Sequence, residues 1–405
     1  MKALGLTALL FLAACGGSAV VDADDAGNTG GLVDAGSASD AGAAADGGAA
    51  SDAGAISDAG AISDAGTALD GGVSPALGGC PLFPANHIFN TPINSLPVDP
   101  RSAAYLATIG TVGVHLDLGA QTDTSADDYY GIPYNVVHGN ALTWPASRYY
   151  SADPDLDWTP QDESDCSSGS AHAVQAPCTA AAPLFPIPAN PLVEGGIVTD
   201  PAQPYGDHHL LIVDQDQCRL WELYHTYPDS SSGWDIFGSA SWDLRSNALR
   251  PAGWTSSDAA GFPITPLLLK QAEAASGVIR HAMRFTILSS HIRNQYLWPA
   301  RHLTGNGTNS VSLPPMGQLF RLKASYVIPA GDSVQAKAIL QALKTYGMYI
   351  ADGGSNLYVQ GEPNAAWDDK IFAQLSAVKT TDFEAVDITA ITSRAGFDVN
   401  SAAVP

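Results

Sequence analysis

Residues 80–405 predict a β-dominated α+β body, a β-sandwich or jelly roll with peripheral helices. Three observations carry this. Short runs rich in β-branched and aromatic residues outnumber helical ones, Pro and Gly punctuate the chain throughout, and only three segments keep a helical period. In chain order, strands are expected at 132–137, 208–213, 219–227, 278–288, 319–327, 348–351, 357–359 and 383–388. A helix is expected over 333–346, where Ala336, Ile339, Leu340 and Leu343 share one face, with Asp332 as its cap and Gly347 as its stop. Two further helical segments are expected at 266–276 and 365–378.

The runs 208–213 and 219–227 are separated by Asp214-Gln215-Asp216-Gln217-Cys218 and read as a hairpin. A turn at Asp216-Gln217 sets Asp214 opposite Arg219 as a cross-strand charge pair, Val213 opposite Leu220, Leu211 opposite Glu222 and His209 opposite Tyr224. Alternation then gives Asp207, His209, Glu222 and Tyr224 one face, shared with Leu211, Val213 and Leu220. A carboxylate on an apolar face needs a partner, and His209 or Asp207 is expected to supply it. Burial beside an acid raises Glu222 toward the range of a general acid. A buried pair that merely holds the sheet together explains the same pattern equally well.

The N-terminus reads as an address. Lys2, an apolar run from Ala3 to Leu12 and Leu12-Ala13-Ala14-Cys15 form a lipobox, so residues 1–15 are expected to be a lipoprotein signal peptide with Cys15 the lipidated residue. Residues 16–79 are nearly all Ala, Gly, Ser and Asp, and Asp34, Asp40, Asp46, Asp52, Asp58, Asp64 and Asp70 recur every six residues. Only Ile56 and Ile62 supply an apolar phase to that repeat, so a β-helix is rejected in favour of a disordered tether spanning about 40–50 Å. One globular extracytoplasmic domain, 80–405, follows. It holds 31 acidic against 17 basic residues, a net charge of −14, which argues against nucleic acid and favours neutral or cationic ligands.

Beyond Cys15, four cysteines remain in a chain read as exported, where disulfides persist. Cys166 and Cys178 bracket a loop of small residues, so a local bridge is expected there, leaving Cys80 with Cys218. That second bridge closes a loop of well over a hundred residues, worth up to about 4–5 kcal/mol.

Other residues are weaker markers alone. Asp258 lies in a polar loop after Trp254 and reads first as a turn aspartate. His281 alternates with Met283 and Phe285, the pattern of a core histidine. Trp298-Pro299-Ala300-Arg301-His302 gathers an aromatic, a cation and an imidazole in one loop. His208, His209, His281 and His302 lack metal-ligand spacing, and no phosphate loop or GxSxG elbow occurs, so neither metal nor cofactor is expected.

Taken together, CPLFPAN at 80–86, GIPY at 131–134, DHHLLIVD at 207–214, RPAGWTS at 250–256 with Asp258, WPARH at 298–302, PPMG at 314–317, and YGM at 346–348 with Ala351-Asp352 resemble the blocks of a family of uncharacterised exported actinobacterial and myxobacterial proteins, some of them beside carbohydrate-associated modules. The resemblance implies a shared fold and an extracellular setting and supplies no reaction. Gly353 stands where the family pattern has Asn, which weakens a role for that loop, and 166–183 resembles an insertion.

Two functions fit. The first is a surface-anchored, monomeric hydrolase acting on extracellular polysaccharide. In it Glu222 is the general acid, Asp207 or Asp258 the second carboxylate, His209, His281 and His302 orient them, and Arg301, Trp254, Trp298 and Tyr224 hold the glycan. A lyase variant uses His or Tyr224 as base, with Arg284 or Arg301 neutralising a uronate. The second is a non-catalytic module binding glycan or an envelope protein. Convergent carboxylates favour the first, and a flat aromatic strip without paired acids favours the second.

Overall fold

Alternating polar and apolar side chains organise the centre of the body. A computed structural model of the protein describes residues 74–119, 131–150, 160–197, 207–229, 233–304 and 308–405, all within one compact unit. The lipobox with Cys15 and residues 16–73 of the tether lie outside the described residues. Ten strands form two principal sheets: β1 His115–Asp117, β2 Tyr134–Val137, β3 Leu210–Asp214, β4 Arg219–Tyr224, β5 Gly238–Asp243, β6 Met283–Ile287, β7 Leu319–Leu322, β8 Met348–Gly353, β9 Tyr358–Gln360 and β10 Phe383–Ala385. Short helices α1 Ser102–Ile109, α2 Gln271–Ser276, α3 Val334–Thr345, α4 Lys370–Ser376 and α5 Thr389–Thr392 accompany them. The fold is β-dominated α+β.

The first sheet has the order β5-β4-β3-β2 and the second β10-β7-β8-β6-β9-β1. A jelly roll is antiparallel throughout. Here β2/β3, β6/β8 and β9/β1 are parallel pairs, so both sheets are mixed. Every expected strand region contains a strand, usually shorter at its ends. Four of these elements escaped the sequence pattern: α1, the four-residue α5, the three-residue β1, and edge strand β5, whose Gly-Ser-Ala-Ser stretch has little β-propensity and is held instead by Asp165 accepting from the Ser241 amide at 2.7 Å. Helix α3 begins on Ser333, whose hydroxyl accepts from the Ala336 amide at 3.2 Å, rather than on Asp332.

The β3–β4 register is the expected one, with Asp214 opposite Arg219, Val213 opposite Leu220 and Leu211 opposite Glu222. Its cause is different. Asp214 accepts from the Gly139 and Asp216 amides, while Arg219 reaches the Ser241 hydroxyl. The apolar alternation therefore pins the register without a cross-strand ion pair. Leu210, Ile212, Trp221 and Leu223 pack into one core with Trp144, Phe185 and Ile236. Val213, Leu220, Ala240 and Trp242 face the larger core built on the second sheet. Burial of each such Leu or Val side chain is worth about 1.5–3 kcal/mol.

Cys80 is bonded to Cys218, and Cys166 to Cys178. The first pins the start of the body to the β3–β4 turn across 138 residues, and the second closes a 12-residue loop. Such bridges belong to proteins folded in an oxidising, extracytoplasmic compartment. No helix among the described residues is long and apolar enough to cross a membrane.

Candidate active site

The ends of several strands bring a charged cluster together. Asp207 and His209 precede β3, Tyr224 closes β4, Arg284 lies on β6 and Asp352 on β8. A bulge makes the last two neighbours. Phe285 pairs with Ile350 but Thr286 pairs with Asp352, leaving Ala351 without a partner on β6. Without that extra residue Asp352 falls on the opposite face; with it, Asp352 shares the face of Thr286 and Arg284. The Ala351 carbonyl accepts from the Ala260 amide at 2.9 Å, which docks the loop carrying Asp258 against β8. Gly261 closes that loop at φ 71°, where a Cβ meets the Trp254 carbonyl at 2.7 Å.

Two buried ion pairs form the floor. His209 Nδ1 meets Glu194 Oε2 at 2.6 Å and its Nε2 meets the Ser257 carbonyl at 2.8 Å. A carbonyl and a carboxylate only accept, so both ring nitrogens carry hydrogen and His209 is an imidazolium. Burial opposes that charge, but Glu194 and then Asp207 outweigh it and raise His209 to about 9. It is a fixed cation, unsuited to act as a base at neutral pH. The second pair joins Arg284 Nε to Asp258 Oδ2 at 3.0 Å, with both side chains buried.

Two half-buried carboxyl groups accompany these pairs. Asp207 accepts from the Tyr224 hydroxyl at 3.4 Å, and burial raises its pKa while His209 and Arg284 oppose the rise. Asp352 accepts through Oδ1 from the Gly353 amide at 2.6 Å and, at the long distance of 3.4 Å, through Oδ2 from the Ala259 amide; burial and the Asp258 charge push it up to about 7. After Asp258, Asp207 is a further charge raising Asp352. Two non-glycine residues at the neighbouring strand ends, His208 and His225, adopt left-handed backbone at φ 48° and 53°. Such strain collects where a site needs particular geometry.

Glu222, expected as the general acid, sits fully buried beneath this cluster. Its oxygens accept from the amides of Ile264 and Thr265, both at 2.8 Å, and from the Thr265 hydroxyl at 2.9 Å. Burial raises it to about 7 against those donors, but no substrate reaches a sealed, fully bonded carboxylate. Its partner is the 264–265 backbone, not His209 or Asp207. Asp258 is likewise fully buried, which removes it as a reacting carboxylate and makes it the counter-ion of Arg284.

The expected binding residues divide. Tyr224 joins the cluster. His302 bonds through Nδ1 to the Ala259 carbonyl at 2.9 Å and so braces the Asp258 loop from behind. Arg301 spends its guanidinium on the Arg250 and Val399 carbonyls and Asn400, and Trp298 donates to the Ser401 carbonyl, so both are structural. Trp254 is half-buried with the Arg250 guanidinium 5.6 Å from its ring. His281 is fully buried, bonded to the Ala282 carbonyl and to Glu273, each at 2.8 Å, and neither partner belongs to the cluster. Sequence reasoning missed Glu194 and gave Asp352 little weight; the bulge that aims Asp352 leaves no periodic trace. An Asn at 353 is not needed to hold Asp352, because backbone amides do so, and a Cβ at Gly353 falls 2.1 Å from the Ser289 hydroxyl.

Among the described residues no group of three or more His, Cys, Asp or Glu is placed to hold a metal ion. Comparison with protein-family models, curated proteins and solved structures finds no match to the chain.

Proposed function

We propose that the protein is a surface lipoprotein, anchored through Cys15, that cleaves extracellular polysaccharide by acid–base hydrolysis at Asp207 and Asp352. The observation that carries this reading is a pair of half-buried carboxyl groups, both lifted from the ordinary range, beside two ion pairs that are already internally balanced. Two interacting acids whose pKa values are both raised can share a proton. Asp207, with the His209 imidazolium and Tyr224 hydroxyl beside it, holds the negative charge, and Asp352 holds the proton. Asp352 protonates the departing glycosidic oxygen as the C–O bond breaks; Asp207 activates water or attacks the anomeric carbon. His209 and Arg284, as fixed cations, stabilise the charge on Asp207.

The non-catalytic reading asks for an exposed aromatic strip. Among the described residues six tryptophans are buried and Trp254 is half-buried, which favours hydrolysis. The test is release of reducing ends from a panel of polysaccharides by the full chain and by Asp352→Asn. Cleavage by the wild type that falls about 10²–10⁴-fold in the variant, with an unchanged melting temperature, supports the reading. Full activity in Asp352→Asn overturns it.

A further inference from the structure

Apart from Arg284, the buried arginines of this body each use at least one terminal nitrogen, and Arg250 and Arg301 use both. Arg250 donates from Nη1 to Asp165 and from Nη2 to the Glu163 carbonyl; Arg301 from Nη1 to the Val399 carbonyl and from Nη2 to Asn400; Arg321 from Nη1 to the Ile93 and Leu96 carbonyls. Arg284 is the exception. It is only 3 % exposed, and among the described residues its side chain makes one hydrogen bond, from Nε to Asp258, with no partner for Nη1 or Nη2. Those two nitrogens are not sealed and keep contact with solvent. A guanidinium almost wholly removed from water with four N–H groups unmet is costly unless a ligand meets them.

We propose that Nη1 and Nη2 of Arg284 are the receptor for a carboxylate carried by the sugar, so that the site takes a glycan built of uronic acids. This rests on the hydrolase reading and names its substrate class. The planar fork left free by the Nε–Asp258 bond matches the two oxygens of a carboxylate, giving two parallel charge-assisted hydrogen bonds. The surrounding charges permit it. Glu194 is balanced by His209 and Asp258 by Arg284 itself, while Asp352, which faces the guanidinium, stays uncharged over much of the range below about 7. The net charge of −14 on the body opposes an acidic polymer only at long range, where salt screens it.

The test is calorimetric binding of the full chain to trisaccharides of galacturonic, glucuronic and mannuronic acid, to their methyl esters and to sulfated trisaccharides. Esterification keeps the ring and removes the charge. At least one free acid should bind ten-fold or more above its ester, and Arg284→Lys, which loses the fork, should reduce that ratio. Because Arg284→Gln alone strands buried Asp258, the charge-neutral double variant Arg284→Gln/Asp258→Asn is the companion, and it should bind acid and ester alike. Equal binding of acid and ester by the wild type, preference for a sulfated probe, binding of no probe, or acid preference surviving in the double variant overturns the proposal. Acid-selective binding without reducing-end release sinks the hydrolase reading and leaves the receptor standing; cleavage of neutral glycans without acid preference does the reverse.

Discussion

Arg284 and His281 lie three residues apart, and each anchors a buried charged cluster, yet the two clusters do different work. Around His281, both ring nitrogens are bonded, and although burial pushes the other way, His281 and Lys270 bring Glu273 down to about 2. Burial lowers Lys270, whose ammonium donates to the Leu268 carbonyl at 3.1 Å near Glu273 and Glu362. Around Arg284, two guanidinium nitrogens lack partners and two acids are only half-buried. Perturbed ionisation is common to both clusters, so it does not mark the site by itself. Unmet hydrogen-bonding capacity facing solvent does.

The sharpest way to break that contrast is to remove one group from each cluster. Asp352→Asn should lose about 10²–10⁴-fold in cleavage rate with little change in melting temperature. His281→Ala should cost about 3 kcal/mol in denaturant unfolding, from the stranded Glu273, while each folded molecule keeps its rate. Loss of stability in the first variant, or of rate in the second, merges the two clusters into one class.

Glu222→Gln sharpens the comparison from beneath. The amide NH2 then faces backbone N–H groups of Ile264 and Thr265, so unfolding should be easier by about 1–3 kcal/mol, with rate per folded molecule changed less than about three-fold. A thousand-fold loss of rate at full stability returns Glu222 to the role of general acid.

A smaller effect follows from pH. Asp352 and Glu222 have folded pKa values raised to about 7, so the stability they contribute is full below the unfolded carboxyl range and is lost as pH rises toward 7. His209, raised to about 9, contributes fully below its unfolded value and loses that contribution as pH rises through 9. Glu273, held near 2, contributes above its unfolded value and loses that as pH falls toward 2. His87 and His225, lowered by burial to about 3 and about 4, work the other way and lose stability as pH falls below their unfolded value, which offsets Asp352 and Glu222. Melting temperature should therefore be nearly level between about pH 5 and 6.5 and decline from pH 7 to 9. A peak at pH 8 contradicts these assignments.

How much of this was legible in the sequence depended on distance along the chain. The β3–β4 register could be read because a one-residue slip turns Leu211, Val213 and Leu220 off their core face. The disulfides followed from four cysteines and one short loop. Asp207 and His209 were found because they extend that same ladder. Glu194 and Asp352 were not given their due: His209 meets Glu194, 15 residues back, outside the strand ladder, and Asp352 reaches Arg284's face only through the bulge at Ala351, 65 or more residues downstream. Alternation therefore misassigned the partner of Glu222, whose amide donors come from a loop some 40 residues away.

The central claim is that Asp352 holds a proton near neutrality because it stands half-buried beside other acids and not because it is locked in a closed network. Carboxyl carbon-13 titration of the folded protein, with Asp352→Asn identifying the resonance, measures this directly. The expected midpoint is about 7, reached reversibly without unfolding. A midpoint near 4 removes the proton donor and, with it, the hydrolase reading.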